Sequence, residues 1–516
     1  MKRRSFLKYG LSTVVAPSIL TGKQSMPFMP FLNPKNCNPE RKLVIIQLNG
    51  GNDGLNTVMP LDQYDLLQSY RSGLMMPSSS YLPLEGHDSL GFHPAMEKMH
   101  NLQSEGKCAV VQNVGYPMPN LSHFRSTDIW TSGSDSDQFL YTGILGRSLY
   151  QDHQDFPAGY PNEDFTDPLA LQLGSSASLL YQGPTTNMGI SISNPDSFYQ
   201  LITGTVDPAP PTKAGHELTY IRLVAQQTER YTGQIRDAAN NAINLSDQYP
   251  ADNALAEQLK IIARMISGGL KTQFYLVQLG GFDTHSDQVD DNPAQGTHST
   301  LLNRLSVGVH AFLDDLKLMG KDEDVLVMTF SEFGRRIRSN ASLGTDHGEA
   351  APMFLFGNNF KNTVIGDNPN IPQDAGPQSN IESTIDFRSV YATILKDWFC
   401  YTEDDLEDIL IKQFGQLPIF NDLSTAVAPV KDEKRVSLFP NPCHDETNLI
   451  FYSQGENISV RMLNANGREM MRLPLTYYPT GSQNIHLNVD KLPSGVYYCH
   501  VQGESFTMTL PLVKDH

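Results

Sequence analysis

Acidic, hydroxyl and imidazole side chains recur in this chain directly behind short apolar runs. Asp53 follows Lys42 to Leu48 (KLVIIQL) through the turn Asn49-Gly50-Gly51-Asn52. Ser122, His123 and Arg125 follow Cys108 to Val114 (CAVVQNV) across a proline-containing loop. Asp283 and His285 follow Phe274 to Leu279 (FYLVQL), and Ser331, Glu332 and Arg335 follow Val325 to Phe330 (VLVMTF). Asp346 and His347 come last, just ahead of the apolar run Met353 to Phe356. Carboxylates combined with imidazoles suit zinc, manganese or a calcium-like ion. One or two such ions can clamp the attacking and leaving oxygens of a phosphate or sulfate ester. Ser122 has the place of a nucleophile at a helix N-terminus, where free N–H groups favour an anion, and the same position would also suit a simple N-cap. Arg125 and Arg335 are the candidates to hold ester oxygens.

Those positions make sense if the apolar runs are buried parallel strands, since ligands of open α/β sheets collect at the carboxyl ends of the strands. The glycines after the first run allow a tight turn and a close backbone approach. Ser122 to Trp130 can be helical once Pro117 and Pro119 are passed. Helical spacing is also expected over Glu217 to Ala242, Leu255 to Ile266 and Phe387 to Trp398, the last capped by Asp386. Leu301 to Leu318 carries Leu305, Val309, Phe312 and Leu316 on one stripe, which is core packing, and leaves His298 and His310 structural or surface roles. The fold class expected is α/β, a doubly wound, mainly parallel sheet with flanking helices.

Lys+Arg 38 against Asp+Glu 56 leaves a formal charge of −18, which repels phosphate backbones and argues against a nucleic-acid partner. With 516 residues there is room for one large domain and a smaller one. The five cysteines (Cys37, Cys108, Cys400, Cys443, Cys499) form no CxxC pair and no zinc knuckle. An oxidising compartment allows one bridge, with Cys443 and Cys499 the candidate pair.

After a polar linker, residues 424–434, the periodicity changes to short alternating runs: Thr447 to Tyr452, Ile458 to Leu463, Asn484 to Val489, Gly495 to Val501 and Phe506 to Leu512. That is the pattern of a small C-terminal antiparallel β-sandwich. Phe439-Pro440-Asn441-Pro442, Asn466-Gly467-Arg468, Leu492-Pro493-Ser494-Gly495 and the terminal Leu510 to Lys514 resemble the C-terminal sorting module of bacterial type IX secretion. At the other end, Arg3-Arg4-Ser5-Phe6-Leu7-Lys8 ahead of the apolar Tyr9 to Leu20 is similar to a twin-arginine export signal. The expected layout is a signal at 1–25, an α/β domain at 38–423 and a sorting sandwich at 435–516. The two export machineries would then be its partners, and the chain would pass through the periplasm to the cell surface or beyond. No later segment is long enough to span a bilayer.

Asn49-Gly50-Gly51-Asn52-Asp53-Gly54, Ser122-His123-Phe124, Gly281-Phe282-Asp283-Thr284-His285, Ser331-Glu332-Phe333-Gly334-Arg335-Arg336 and Gly344-Thr345-Asp346-His347-Gly348 together resemble a bacterial family. It is domain-of-unknown-function family 1501 (DUF1501), grouped with the alkaline phosphatase and sulfatase superfamily; the resemblance covers roughly residues 40 to 420. It implies an alkaline phosphatase-like sheet with a metal cluster at its carboxyl edge. Asp53 then resembles the first-strand metal ligand, and Ser122 the nucleophile. Asp283 and His285 resemble the pair on one ion, completed by His347. Glu332 stands where the superfamily has Asp-His, so a second ion would lose an imidazole to Phe333; Asp346-His347 is the other pair that could align there. The implied activity is metal-dependent hydrolysis of a small-molecule or glycan sulfate or phosphate ester. The alternative is a surface-displayed binding protein on the same fold with a decayed site.

Overall fold

The computed structural model describes residues 37–421 except 158, 163–164, 175–176, 193–197, 199 and 201–230, and residues 437–515 except 440, 454, 465–467, 480 and 504–506. The proposed signal and linker, and most of the helix expected over Glu217 to Ala242, lie outside the described residues; 231–241 are helical. The chain divides into two compact units, Met1–Phe420 and Asn421–His516.

Among the described residues the main sheet of the first unit has nine strands: β1 (Lys42–Asn49), β2 (Cys108–Gly115), β3 (Ala170–Leu173), β4 (Gly189–Ile192), β5 (Phe274–Gly280), β6 (Val325–Phe330), β7 (Ala351–Phe356), β8 (Val364–Ile365) and β9 (Ile385–Asp386). Their order is β8-β2-β7-β6-β1-β5-β3-β4, with β9 also paired to β2. The apolar runs read from the sequence become the central strands because both faces of the sheet are covered. Every pairing is parallel except those of β7, which is antiparallel to both β2 and β6. That exception has a consequence for the site. The chain leaves the carboxyl end of β6, loops through residues 331–350 and re-enters the sheet as β7 in the opposite sense. Both ends of this excursion therefore lie at one sheet edge.

The main helices are α1 (His123–Ser132), α2 (Ala254–Ser267), α3 (Thr297–Leu318) and α4 (Phe387–Thr393). One face of the sheet (Val44, Ile46, Leu48, Val277, Val327) shares a continuous core with Leu259 and Ile262 of α2 and with Leu305, Val309 and Phe312 of α3. Asn253 caps α2 by accepting from the Leu255 and Ala256 amides, and Asp386 caps α4 by accepting from Arg388. No helix among the described residues is long and apolar enough to cross a membrane.

The second unit has antiparallel strands in separate sheets. Glu446–Ser453 pairs with Ser437–Phe439 and Gly481–Asn488, while Glu456–Asn464 pairs with Glu469–Arg472, Thr476–Tyr478 and Gly495–Gln502. Thr507–Lys514 completes the second group. The short strands Glu469–Arg472 and Thr476–Tyr478 went unread in the sequence because they are mostly exposed and show no apolar alternation. Leu449, Phe451, Met462, Leu487 and Val501 form the core of the unit.

The cysteine pairing read from the sequence is corrected. Cys443 and Cys499 are separate buried thiols, and burial pushes the Cys499 thiol up to about 12. The bridge is Cys37–Cys400, with Cα atoms 5.8 Å apart across 363 residues of chain. Tertiary contacts bring the two together: Arg41 donates to the Trp398 carbonyl at 2.8 Å and lies over its ring, and the Trp398 indole donates to the Lys42 carbonyl at 3.2 Å.

Candidate metal centre

The turn after β1 controls how close the strand ends can come. Gly50 has φ +123°, and a Cβ there would lie 2.2 Å from the Asp283 amide nitrogen. Only glycine permits that approach. The Gly50 amide in turn donates to Glu332 Oε1 at 2.8 Å, tying the β1 turn to the end of β6. Helix α1 is clamped to the same place, because the Trp130 indole donates to the Glu332 carbonyl at 2.9 Å and stacks on Phe330 and Phe387. His123, the first residue of α1, is thereby set over the strand ends.

Three imidazoles and one carboxylate meet there. His285 Nε2 and His347 Nε2 are each 3.2 Å from Asp283 Oδ1, and His123 Nε2 is 3.5 Å from Asp283 Oδ2. On the far side of each ring, Nδ1 has an oxygen partner. His123 Nδ1 donates to Glu332 Oε1 at 2.9 Å, His285 Nδ1 to Asp346 Oδ1 at 3.1 Å, and His347 Nδ1 to the Leu121 carbonyl at 2.8 Å. A carbonyl can only accept, and Glu332 Oε1 already accepts from Gly50, so the proton sits on Nδ1 and the Nε2 lone pairs face inward. Phe333 walls the group, its ring centroid 4.4 Å from that of His347 and 4.9 Å from that of His123.

Asp283 is held ready by its surroundings. Burial would raise its carboxyl, but the hydrogen bond and charge of Arg335 outweigh that and bring it down to about 2. Arg335 Nη2 donates to Asp283 Oδ1 at 2.8 Å. The rest of that guanidinium braces backbone: Nε donates to the Gly51 carbonyl at 2.7 Å and Nη1 to the Thr345 carbonyl at 2.6 Å. Arg335 therefore positions the two loops and the aspartate. Burial lowers His347, only partly offset by its bond to Leu121 and by Asp283. Asp346, which burial would raise, is lowered by Asn340 and His285.

Of the residues singled out in the sequence, the structure brings together Asp283, His285 and His347, with Glu332, Asp346 and Arg335 one contact further out. Three others lie differently. Asp53 is fully buried, both its oxygens accept from Arg71 Nη1 at 2.9 Å, and Oδ2 also accepts from Gln288 at 2.6 Å. Burial would raise that carboxyl, but Arg71 and the neighbouring dipoles hold it below its ordinary value. Ser122 is the N-cap of α1 yet makes no side-chain cap hydrogen bond, and it is exposed. Arg125 turns away to the loop behind α1, donating to the carbonyls of Asp135 and Ser136 at 3.0 and 3.3 Å and lying over the Phe139 ring. Sequence reasoning left His123 as a neighbour of Ser122 and passed over Arg71. His123 did carry a signal, an imidazole at the first turn of a helix that follows a strand exit. Arg71, the last residue of the short helix Tyr64–Arg71, carried none.

Residues 40–399 match the family model described as "Protein of unknown function (DUF1501)", and residues 437–515 the model described as "Secretion system C-terminal sorting domain". A protein of the alkaline phosphatase superfamily from Vibrio parahaemolyticus is 11% identical, covering 92% of this chain and 83% of its own, at TM-score 0.33. The sulfatase PsFucS1 from Pseudoalteromonas sp. is 9% identical, with coverage of 87% and 84% and TM-score 0.32. The phosphonate monoester hydrolase SpPMH from Silicibacter pomeroyi is 9% identical, with coverage of 92% and 89% and TM-score 0.28. The search of curated proteins finds no match.

Proposed function

The chain belongs to the DUF1501 family, and from the geometry of its histidine cluster we propose that it is an exported ester hydrolase that works with a single divalent ion. The observation that carries this is the inward convergence of three Nε2 lone pairs on one carboxylate, with each Nδ1–H tied to an oxygen. Metal-binding histidines are oriented in this way by their outer partners. His123, Asp283, His285 and His347 would hold the ion; three nitrogens and one oxygen fit zinc or manganese better than calcium, which takes oxygens. When bound, the ion would supply Lewis-acid polarisation of a phosphoryl or sulfuryl oxygen.

The protein's own groups divide the remaining work. Glu332 and Asp346 keep His123 and His285 in the correct tautomer, and Arg335 holds Asp283 in place. Ser122 stands one residue before His123 at the open N-terminus of α1, so it remains our candidate nucleophile. Its oxygen would form a bond to phosphorus or sulfur while the bond to the leaving alcohol breaks and that alcohol takes up a proton. Water would then cleave the serine ester, releasing phosphate or sulfate and restoring the hydroxyl. Arg125 is left out of this scheme because its guanidinium is spent on loop carbonyls. The C-terminal module supports delivery by type IX secretion to the surface or the medium, after export by the twin-arginine route.

Two observations favour a second reading, a surface-displayed binding protein. Arg71 occupies the carboxylate of Asp53, and Phe333 stands against the histidines, which argues against a two-ion hydrolase site. Elemental analysis of the purified chain, followed by a panel of phosphate monoesters, phosphate diesters and sulfate esters, tests both. Metal with turnover that disappears in His347→Ala supports the hydrolase. Bound metal without turnover of any ester supports the binder, and full turnover by Ser122→Ala removes the serine route.

A further inference from the structure

A cleft of about 530 Å³ opens beside the histidine cluster, between α1 and the sheet face turned away from α2 and α3. Its volume lies within the range of small-molecule sites, about 300–1,000 Å³. Part of its floor is a row of three glutamines on neighbouring parallel strands, Gln47 of β1, Gln278 of β5 and Gln172 of β3. Gln47 is directly opposite Gln278, and Gln172 is opposite Leu276, two residues before Gln278. Alternation along a strand then puts all three amides on one face. Strands buried in a doubly covered sheet are ordinarily apolar throughout, so a polar row here needs a purpose.

The hydrogen bonds of the central pair indicate one. Gln278 Nε2 donates to Gln47 Oε1 at 3.0 Å. This leaves Gln47 Nε2 and Gln278 Oε1 with no hydrogen bond to the described residues, although Gln47 is only 4% exposed. Exchanging the two ends of both amides still leaves one donor and one acceptor side by side. A hydroxyl group, which donates and accepts at once, matches that pair. Across the cleft, α1 contributes Asp128, an acceptor for further hydroxyls, and Phe124, whose ring is 87% exposed at the rim. No lysine or arginine lines the cleft among the described residues, and its acids are Asp128, Asp283 and Glu332. A polyanionic ligand would therefore be repelled along most of its length.

We infer that this cleft is a subsite for a neutral, polyhydroxylated ring, a sugar-type ligand whose hydroxyls meet the Gln47–Gln278 pair and Asp128 and whose C–H face lies on Phe124. Calling that ring the alcohol part of the ester rests on the hydrolase reading; the binding itself does not. The test uses the full chain and unesterified ligands, so no turnover enters it. Binding of a panel of neutral methyl glycosides is measured by calorimetry and by saturation-transfer NMR, beside choline and a sulfated monosaccharide as charged probes. The expected result is saturable binding of at least one neutral glycoside, weakened tenfold or more by Gln278→Leu and by Phe124→Ala. Phe124 is so exposed that its variant keeps the fold, which unfolding temperatures verify. Binding of choline or the sulfated sugar alone, or unchanged glycoside affinity in both variants, overturns the subsite. Glycoside binding without hydrolysis of any ester leaves the subsite standing and sinks the hydrolase, so the two failures are distinguishable.

Discussion

His285 Nε2 and His347 Nε2 lie 2.9 Å apart, and each presents a lone pair at that point because its Nδ1 proton is committed to an oxygen. Asp283 Oδ1, another acceptor, is 3.2 Å from both. Acceptors crowd together in this way only when a cation or a shared proton lies among them. The juxtaposition is the physical core of the functional proposal.

It follows that the purified chain binds one divalent transition ion per molecule, not two. His347→Ala loses the ion altogether. Asp346→Asn and Glu332→Gln keep the ligands but loosen their orientation, weakening affinity by roughly 10–100-fold. Elemental analysis after dialysis against graded chelator measures all four proteins; two equivalents in the wild type would contradict the single-ion site.

Asp53 and Arg71 form a buried pair with neither side chain exposed. Removing one partner leaves the other charge buried and uncompensated, at a cost of about 3–5 kcal/mol. Asp53→Asn should therefore destabilise the first unit by that order in denaturant unfolding, with metal content unchanged. If the variant instead lost its metal while keeping its stability, Asp53 would belong to the metal site.

The same carboxyl sets a pH dependence. Its pKa is lowered in the folded chain, so its contribution to stability is complete above the unfolded value of about 3.9 and is lost as pH falls through the folded one. The difference in unfolding temperature between wild type and Asp53→Asn should stay constant from neutral pH down to about 4 and shrink below it. A difference that grew on acidification would reverse the sign of the argument.

The Cys37–Cys400 bridge closes nearly the whole first unit into a loop. Chain-entropy arguments put the worth of so long a loop near the top of the measured range, about 5 kcal/mol. Mild reduction, or Cys37→Ser with Cys400→Ser, should lower the unfolding temperature without displacing the ion. A thiol reagent should find no reactive group in the native protein, and the three buried thiols Cys108, Cys443 and Cys499 after unfolding.

The five central strands β1, β2, β5, β6 and β7 and the four main helices were legible because burial on both faces leaves long apolar runs, and because Asp386 and the prolines before Ser122 punctuate the helices. The switch to alternating runs after residue 434 revealed the separate β module for the same reason. Strand-exit positions also pointed to Asp283, His285 and His347, since side chains at one sheet edge are neighbours whatever their distance in sequence.

Which of those groups meet was beyond the linear pattern. Asp53 looked like His285, an acid or imidazole behind a strand, until Arg71 arrived from elsewhere to neutralise it. Ser122 and His123 are adjacent in sequence, yet the clamp of Trp130 on Glu332 aims the histidine at Asp283. Gln47 and Gln278 are single polar letters in apolar words, and only strand register makes them a pair. Composition and periodicity determined the layers and the edge at which chemistry could occur. Packing decided the partners, because charge and hydrogen bonding act over a few ångströms in space and take no account of order along the chain.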